Sequence, residues 1–399
     1  MKPRLILLAA LLSSSQTFAQ GSLTPPPGPP VASMKTLDQI EPRIDLATVA
    51  TDANNRFVIS QPGCYYLSSN IAATGKNGIA IHVDNVSIDL GGFSLIGDGT
   101  ANRQGIFSSV AVKNIRVSRG TIRGFAGSGI TLNGSRDVRL DDLTISDNGV
   151  NGVHSGDETL VSRCIMRDNA AHGIWTETRS VISHCAVVDS GLVGIRVAQK
   201  SQVRNCVADS NGSMGINILA HGLVADTSVS GNGGAGIFGG NFLICRDCVS
   251  NDNGGHGFQL SSHVLVSSCV AAGNQQHGFQ ILDGVLTGCS ATANYYDGIS
   301  LATGIVKNCH CVGNGAGAGV TSGAGISTNA GCRIEGNVCS GNDIGIAAQG
   351  GLFISNLSHN NTGGGNPSAN YHTGGSSTNL GPVVNASTAT NPASNFSLP

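Results

Sequence analysis

Apolar and polar positions along this chain recur in fixed company. Between Asn148 and Gly298 a phrase of the form D-N-x-x-x-G-I keeps returning: Gly152-Val153, Gly173-Ile174, Gly194-Ile195, Gly215-Ile216, Gly236-Ile237, Gly257-Phe258 and Gly278-Phe279 stand 21 residues apart, and Gly298-Ile299 follows after 20. Nine residues past each Gly lies another apolar column, Val161, Ile182, Val203, Val224, Cys245 and Val266, with Leu286 and Val306 one residue early. Three further on are small residues, Cys164, Cys185, Cys206, Thr227, Cys248, Cys269, Cys289 and Cys309. Five beyond those come turn formers, a column opened by Asn148 and continued by Asn169, Ser190, Asn211, Asn232, Asn253, Asn274, Asn294 and Asn314.

A unit of 21 residues is too short for two packed helices, which need periods of about 33 to 47, and it shows no helical periodicity. Its β-branched residues come in short runs punctuated by Gly, Asn, Asp and Ser, the pattern of short strands joined by tight turns. Such strands bury their apolar side only by stacking on the next unit, which predicts a parallel β-helix with turns about 4.8 Å apart. The Asn column fits that geometry. Asn tolerates a left-handed backbone, and its amide can bond the Asn above and below, so the column is structural.

The repeat frames the rest of the chain. Gly78-Ile79, Gly105-Ile106 and Gly129-Ile130 open the Gly-apolar column with steps of 27, 24 and 23 residues, so the early coils carry insertions. A further 27-residue step separates Gly298 from Gly325-Ile326, with the extra residues in 315–322; the register returns at Ile334, Asn337, Asn342 and Gly345-Ile346. Asn337 falls in the Cys column, which makes Cys there a small inner-turn residue exchangeable with Asn. The expected organisation is about 13 coils over residues 57–355, with an N-terminal cap over 34–56 that begins as a short helical segment, and an irregular covering tail over 356–399. Ahead of these, residues 1–19 read as a signal peptide, with Lys2 and Arg4, an apolar core from Leu5 to Leu12 and a small-residue cleavage site at Thr17-Phe18-Ala19. Residues 20–33, with Pro25-Pro26-Pro27 and Pro29-Pro30, read as a linker.

Composition narrows the function. Charged residues make up 12% of the chain and glycines number 57, about half and twice the usual shares, as many inward positions and tight turns require. A formal net charge of -2 without a basic stripe argues against nucleic acid as a partner. No later segment approaches the roughly 18 apolar residues of a spanning helix. The expectation is an exported protein, extracellular or periplasmic, with no membrane-spanning segment.

Twelve cysteines in an exported chain would ordinarily suggest a disulfide framework. Seven of them fill one column, where parallel Cβ vectors leave the sulfurs poorly aimed, so they read as buried, reduced fillers. Cys245 and Cys248 form a C-x-x-C, but the apolar and Cys columns account for both. Cys332 and Cys339, outside the column, are the expected bonded pair.

Chemistry on a β-helix has to sit on outward columns. His154, Trp175, Arg196 and Asn217 follow the Gly by two residues, Glu177 by four, and Glu158, Arg179, Lys200 and His221 by six. Together they gather the only Trp of the chain with carboxylates, cations and imidazoles. An indole stacks on a sugar face, Arg and Lys hold a uronate carboxylate, and Glu or His moves a proton. His154, Trp175, Glu177, Arg196 and Lys200 are therefore the candidate ligand-binding residues, and Glu158, Glu177, Arg179 and Arg196 the candidate catalytic ones. The column just before the Gly stacks His256, His277 and Asp297, candidates for a divalent metal such as zinc or copper. His172 shares that column, but Val193, Met214 and Ala235 separate it from the others.

The blocks MKTLDQIEPRIDL (34–46), ISQPGCYYLSSNI (59–71), VSIDLGGFSLIG (86–97) and NPASNF (391–396) resemble the secreted bacterial right-handed parallel β-helix proteins of the pectin-lyase-like superfamily. The resemblance covers nearly the whole chain after residue 33. It implies an all-β, single-stranded right-handed parallel β-helix, export, and relatives that act on polysaccharides as lyases, hydrolases or epimerases. Gly255-His256-Gly257 looks like the G-H-G of polygalacturonases, but their Asn-Thr-Asp is absent, Asp141-Asp142 lies far from it, and Arg333-Ile334-Glu335 ends in the wrong charge. The Asp-Pro-His-Asp of alginate epimerases and calcium-binding nonapeptides are also absent. Calcium would enter only with a lyase, for which Asp157, Glu158 and Asp168 beside Arg163 and Arg167 are the nearest approach. The leading expectation is recognition of a polysaccharide or cell-surface glycan, with lyase-type processing an open extension. A structural or adhesive surface solenoid is the first alternative, and a periplasmic metal-binding β-helix the second.

Overall fold

The computed structural model describes residues 43–315, 323–329, 331–362 and 370–373, with short pieces between 378 and 398. The expected leader, the linker, the helical start of the cap and most of the insertion after Gly315 lie outside the described residues. What is described is a solenoid of parallel strands, about 15 turns long, with no α-helix and a single 3-10 turn at Leu46–Thr48. The Gly-apolar steps account for 13 of those turns. The two further turns sit at the ends, where Arg56-Phe57 and Asn370-Tyr371 replace the Gly-apolar pair.

Each turn contributes to three sheets, mostly through three short strands, while Ile130–Ser146 is one continuous strand that serves all three. Sheet A starts at Asn55–Ile59, passes through Ile174–Thr176 and reaches Tyr371–Thr373. Sheet B runs from Arg43–Asp45 through Val181–Ser183 to Thr378–Leu380. Sheet C runs from Ile71–Ala72 through Ala186–Val188 to Asn395–Leu398. The inward column of sheet A, from Ile79 through Ile174 and Phe258 to Ile346, is fully buried, and Phe258 and Phe279 stack inside it at 4.7 Å. The glycine ahead of this column is needed for close approach between turns. A Cβ on Gly257 would lie 2.6 Å from the carbonyl oxygen of Gly278 and 2.8 Å from the Asn274 amide nitrogen.

Three corners turn the chain, and each uses a left-handed residue, such as Glu158 (φ 56°), Arg163 (φ 53°) and Asp168 (φ 53°). The residue after each corner points inward, and its N–H has no strand partner. Where the next turn places Asn, Ser or Thr at the same position, that side chain supplies the acceptor. After the third corner that acceptor is Asn: the Asn253 Oδ1 accepts from the Asn232 backbone N–H at 3.1 Å and from its amide at 2.9 Å, and Asn253 in turn donates to Asn274 at 2.9 Å. The series runs on through Asn294, Asn314, Asn342 and Asn361. After the first corner Ser180 and Ser201 do the same for Thr159 and Ser180, at 3.3 and 3.1 Å.

Seven of the cysteines, Cys164, Cys185, Cys206, Cys248, Cys269, Cys289 and Cys309, occupy the second corner. There the thiols of Cys185, Cys206 and Cys248 donate to carbonyl oxygens two residues back, at 3.3, 3.2 and 3.1 Å. The exchange of Cys for Asn is realised at the C-terminal end, where Asn337 accepts the Cys309 N–H at 2.8 Å and Asn356 and Asn395 extend a second Asn ladder. All twelve cysteines are free. The expected Cys332–Cys339 pair is not formed, because Cys339 sits opposite Cys311 in sheet C while Cys332 belongs to sheet B. A hydrogen bond with Cys164, with burial adding, pushes the Cys185 thiol up to about 12, and burial raises Cys245 well above the ordinary range. The Cys185 and Cys245 thiols therefore stay neutral.

Replacing Asn253 by Leu strands the two Asn232 donors on one turn and takes a donor from the Asn274 oxygen on the other, so urea denaturation should show a loss of about 2–3 kcal/mol, and Ser, which Ser190 already represents in this column, roughly half of that. Equal midpoints for the Leu and Ser variants would contradict this account.

Candidate functional site

Sheet A strands alternate inward, outward, inward, so each turn offers one outward side chain on this face. The register joins His154 to Trp175, Trp175 to Arg196 and Arg196 to Asn217, the row that the spacing predicts. The same register extends it through Phe238, Gln259, Gln280 and Ser300, which the sequence reading passed over. They stand two residues after their glycines, so the signal was in the repeat but was not followed past Asn217.

Side chains in this row stack along the solenoid axis. The His154 ring lies 4.2 Å from the indole of Trp175 at an interplanar angle of 16°, and the Arg196 guanidinium carbon lies 4.3 Å from the ring centroid. His172 meets the indole edge-on at 5.3 Å. The expectation that a sugar stacks on this Trp therefore changes in physical content: both faces are occupied, and the ring serves as a platform. What it presents is Arg196, exposed and without an ion pair among the described residues, its N–H groups uncommitted. Burial, followed by the charge of Arg196, lowers the pKa of His154 and of His172, so both imidazoles are neutral. The Asn217 Oδ1 beside Arg196 is buried with no hydrogen-bond partner.

The remaining candidates flank this row. Glu158, Arg179 and Lys200 occupy successive left-handed corners between sheets A and B. Arg179 binds Glu158 at 2.8 Å and lies 3.7 Å from Asp157, whereas Glu177 and Lys200 form no ion pair among the described residues. The same corner continues as His221, Phe242 and His263, stacked at 4.8 and 4.9 Å. Asp168 belongs to the corner after sheet C, so it does not join Asp157 and Glu158. Arg333 and Lys307 both pair with Glu335.

On the other flank lies the column before the Gly. The His256 and His277 rings stack at 5.3 Å, and His277 Nδ1 lies 3.3 Å from the Asp297 carboxyl. Each ring already has work to do: His256 Nδ1 accepts the His277 N–H at 3.2 Å, His277 Nδ1 accepts the Asp297 N–H at 3.1 Å, and Asp297 Oδ1 accepts the Ala324 N–H at 2.8 Å. His172 does the same for Val193 at 3.3 Å. Among the described residues no group of three or more His, Cys, Asp and Glu is placed to hold a metal ion. His172 touches Trp175, so this column borders the outward row, and the two sets of candidates share the sheet A face.

A model for the right handed beta helix region matches residues 60–204 and 180–304, more than half of the chain. The chain belongs to this right-handed β-helix family. No curated protein matches it. Among solved structures it is similar to the mannuronan C-5 epimerase AlgE6 A-module of Azotobacter vinelandii, at 15% identity and a TM-score of 0.43, over 85% of this chain and 91% of that one. It is also similar to the catalytic unit of the GH87 α-1,3-glucanase of Streptomyces thermodiastaticus, at 12% and 0.47, over 84% and 69%. A third is the surface adhesin PfbA of Streptococcus pneumoniae, at 8% and 0.37, over 75% and 84%. No described helix of this β-helix protein is long and apolar enough to cross a membrane.

Burial in this β-helix gives the flanking column an acid–base signature. It raises the Asp297 carboxyl to about 7 and, with the neighbouring His277, lowers His256 to about 4. The two effects oppose each other. A raised carboxyl contributes stability that is present below its unfolded value and lost as pH rises through 7, whereas a lowered imidazole contributes stability present above 6.5 and lost as pH falls through 4. Asp297→Asn should therefore gain stability over the parent between acid and neutral pH, and His256→Gln should gain on going the other way, each by about 2–4 kcal/mol. Urea midpoints across that range check this, and parallel profiles for parent and variants would contradict it.

Proposed function

We propose that this right-handed β-helix recognises an extended acidic polysaccharide along the outward row of sheet A, from His154 to Gln280. One observation carries the reading: a chain poor in charge holds the exposed Arg196 over Trp175 with no carboxylate partner among the described residues. A guanidinium stacked on an aromatic ring keeps its in-plane donors free for a carboxylate. Gln259 and Gln280 extend the polar surface at one side chain per turn. The leader-like first 19 residues fit a protein that meets such polymers outside the cytoplasm.

Processing of the bound glycan is the finer extension of this reading. Glu177 is the carboxylate that it assigns to proton transfer, since Glu158 is committed to Arg179. Calcium belongs to this extension alone, and metal binding at His256 and His277 competes with the backbone N–H groups those rings already accept. A structural or adhesive role is the second reading, favoured by the exposed Leu160, Ile244 and Leu265 on sheet B, which offer an apolar surface for lateral contact.

Calorimetry with oligosaccharides from neutral and acidic polymers tests the first reading. Arg196→Gln should weaken binding of the acidic oligosaccharide about tenfold, and Trp175→Ala, which removes the platform, about as much. Binding left unchanged by both substitutions would overturn it.

A further inference from the structure

The outer face of sheet B carries a second unexplained feature. Its outward row is apolar over most of its length, with Leu160, Val181, Leu223, Ile244, Leu265 and Val285 in successive or nearly successive turns. Towards the N-terminal end the row becomes basic. Arg116 and Arg139 are direct cross-strand partners, and three residues earlier Lys113 stands opposite Arg136. Like charges in directly opposed positions repel, so this arrangement costs stability unless something neutralises it.

The nearby carboxylates are engaged elsewhere. Asp89 pairs with Arg43 at 3.3 Å and with Arg119. Asp141 pairs with Arg163 and accepts from the Ser162 hydroxyl at 2.7 Å. Arg116 and Arg139 form no ion pair among the described residues, and both are exposed. They line a cleft of about 360 Å³ with Leu140, Asp141, Leu160, Ser162 and Arg163, and the one carboxylate of that lining, Asp141, is held by Arg163. Between Ser87 and Leu160 the row carries no aromatic ring on which a base would stack.

We propose that this cleft is an anion subsite for an acidic polysaccharide, with Arg116 and Arg139 each holding a carboxylate or sulfate group. The guanidinium fork matches both oxyanions in two-point contact, and two forks one turn apart suit charges repeated along a polymer. Leu160 gives an apolar contact beside them. The subsite lies on a different sheet from the His154–Gln280 row and is independent of it.

The test uses the chain as exported and measures binding to polygalacturonate, chondroitin sulfate, neutral dextran and phosphatidylserine vesicles at low and physiological salt. The Arg116→Gln/Arg139→Gln double variant should bind the charged glycans about tenfold more weakly, with a shallower salt dependence and no loss of melting temperature. An Arg204→Gln/Arg246→Gln control, which removes the same charge from other turns of sheet B, should stay within about twofold. Preference for chondroitin sulfate identifies the anion as a sulfate ester, and preference for polygalacturonate as a carboxylate; either supports the subsite. Equal loss in the control would reduce the effect to net charge and overturn the proposal, as would binding to vesicles but not to glycans. Loss in Arg196→Gln with none in the double variant would overturn it while leaving the sheet A reading intact.

Discussion

The left-handed corners of this solenoid leave backbone N–H groups pointing inward, and along the third corner, from Ser190 to Asn342, each finds its acceptor in an Asn side chain on the next turn. Asn at the third corner, Cys and then Asn at the second, and Ser or Thr at the first supply the side chains that make stacking at those corners specific. An Asn amide accepts from one turn and donates to the next, so one residue type satisfies two turns in a site from which water is excluded. A slip of one residue would break that relay and reverse every strand's inward and outward faces. The relay thereby fixes the register, and the register decides which side chains become neighbours on the surface.

Surface chemistry then follows the turn spacing. Residues distant in sequence fall into rows about 4.8 Å apart, close enough for rings to stack and for like charges to repel. Stacking converts Trp175 into a platform for Arg196 and aligns His221, Phe242 and His263 along a corner. The same closeness puts Arg116 against Arg139, neither of which forms an ion pair among the described residues. A rigid surface with regular spacing suits a polymer whose groups also repeat, whereas a compact pocket for a small molecule has no natural place on it.

The inward half of the structure was legible in the sequence because each inward column admits few residue types. Gly before the buried Ile, Asn at the inner turn and Cys at the second corner are dictated by close approach, corner geometry and small volume, and the 21-residue step displays them directly. The outward half was less legible. Spacing alone put His154, Trp175, Arg196 and Asn217 in one row, but it could not say that both faces of the indole are covered, because that depends on rotamers. Arg116 and Arg139 escaped notice since their step is 23 residues, within the region of insertions. The same difficulty misassigned Cys339, whose true neighbour Cys311 lies 28 residues back, across the insertion after Gly315.

The central claim is that the outward row of sheet A is the ligand face, and a crystal structure of the protein with a bound acidic oligosaccharide tests it most directly. The account predicts a chain lying along the solenoid axis, with a carboxylate on Arg196 and further contacts to Gln259 or Gln280. An oligosaccharide bound only on another face, or lying across the axis and touching a single turn of sheet A, would contradict it.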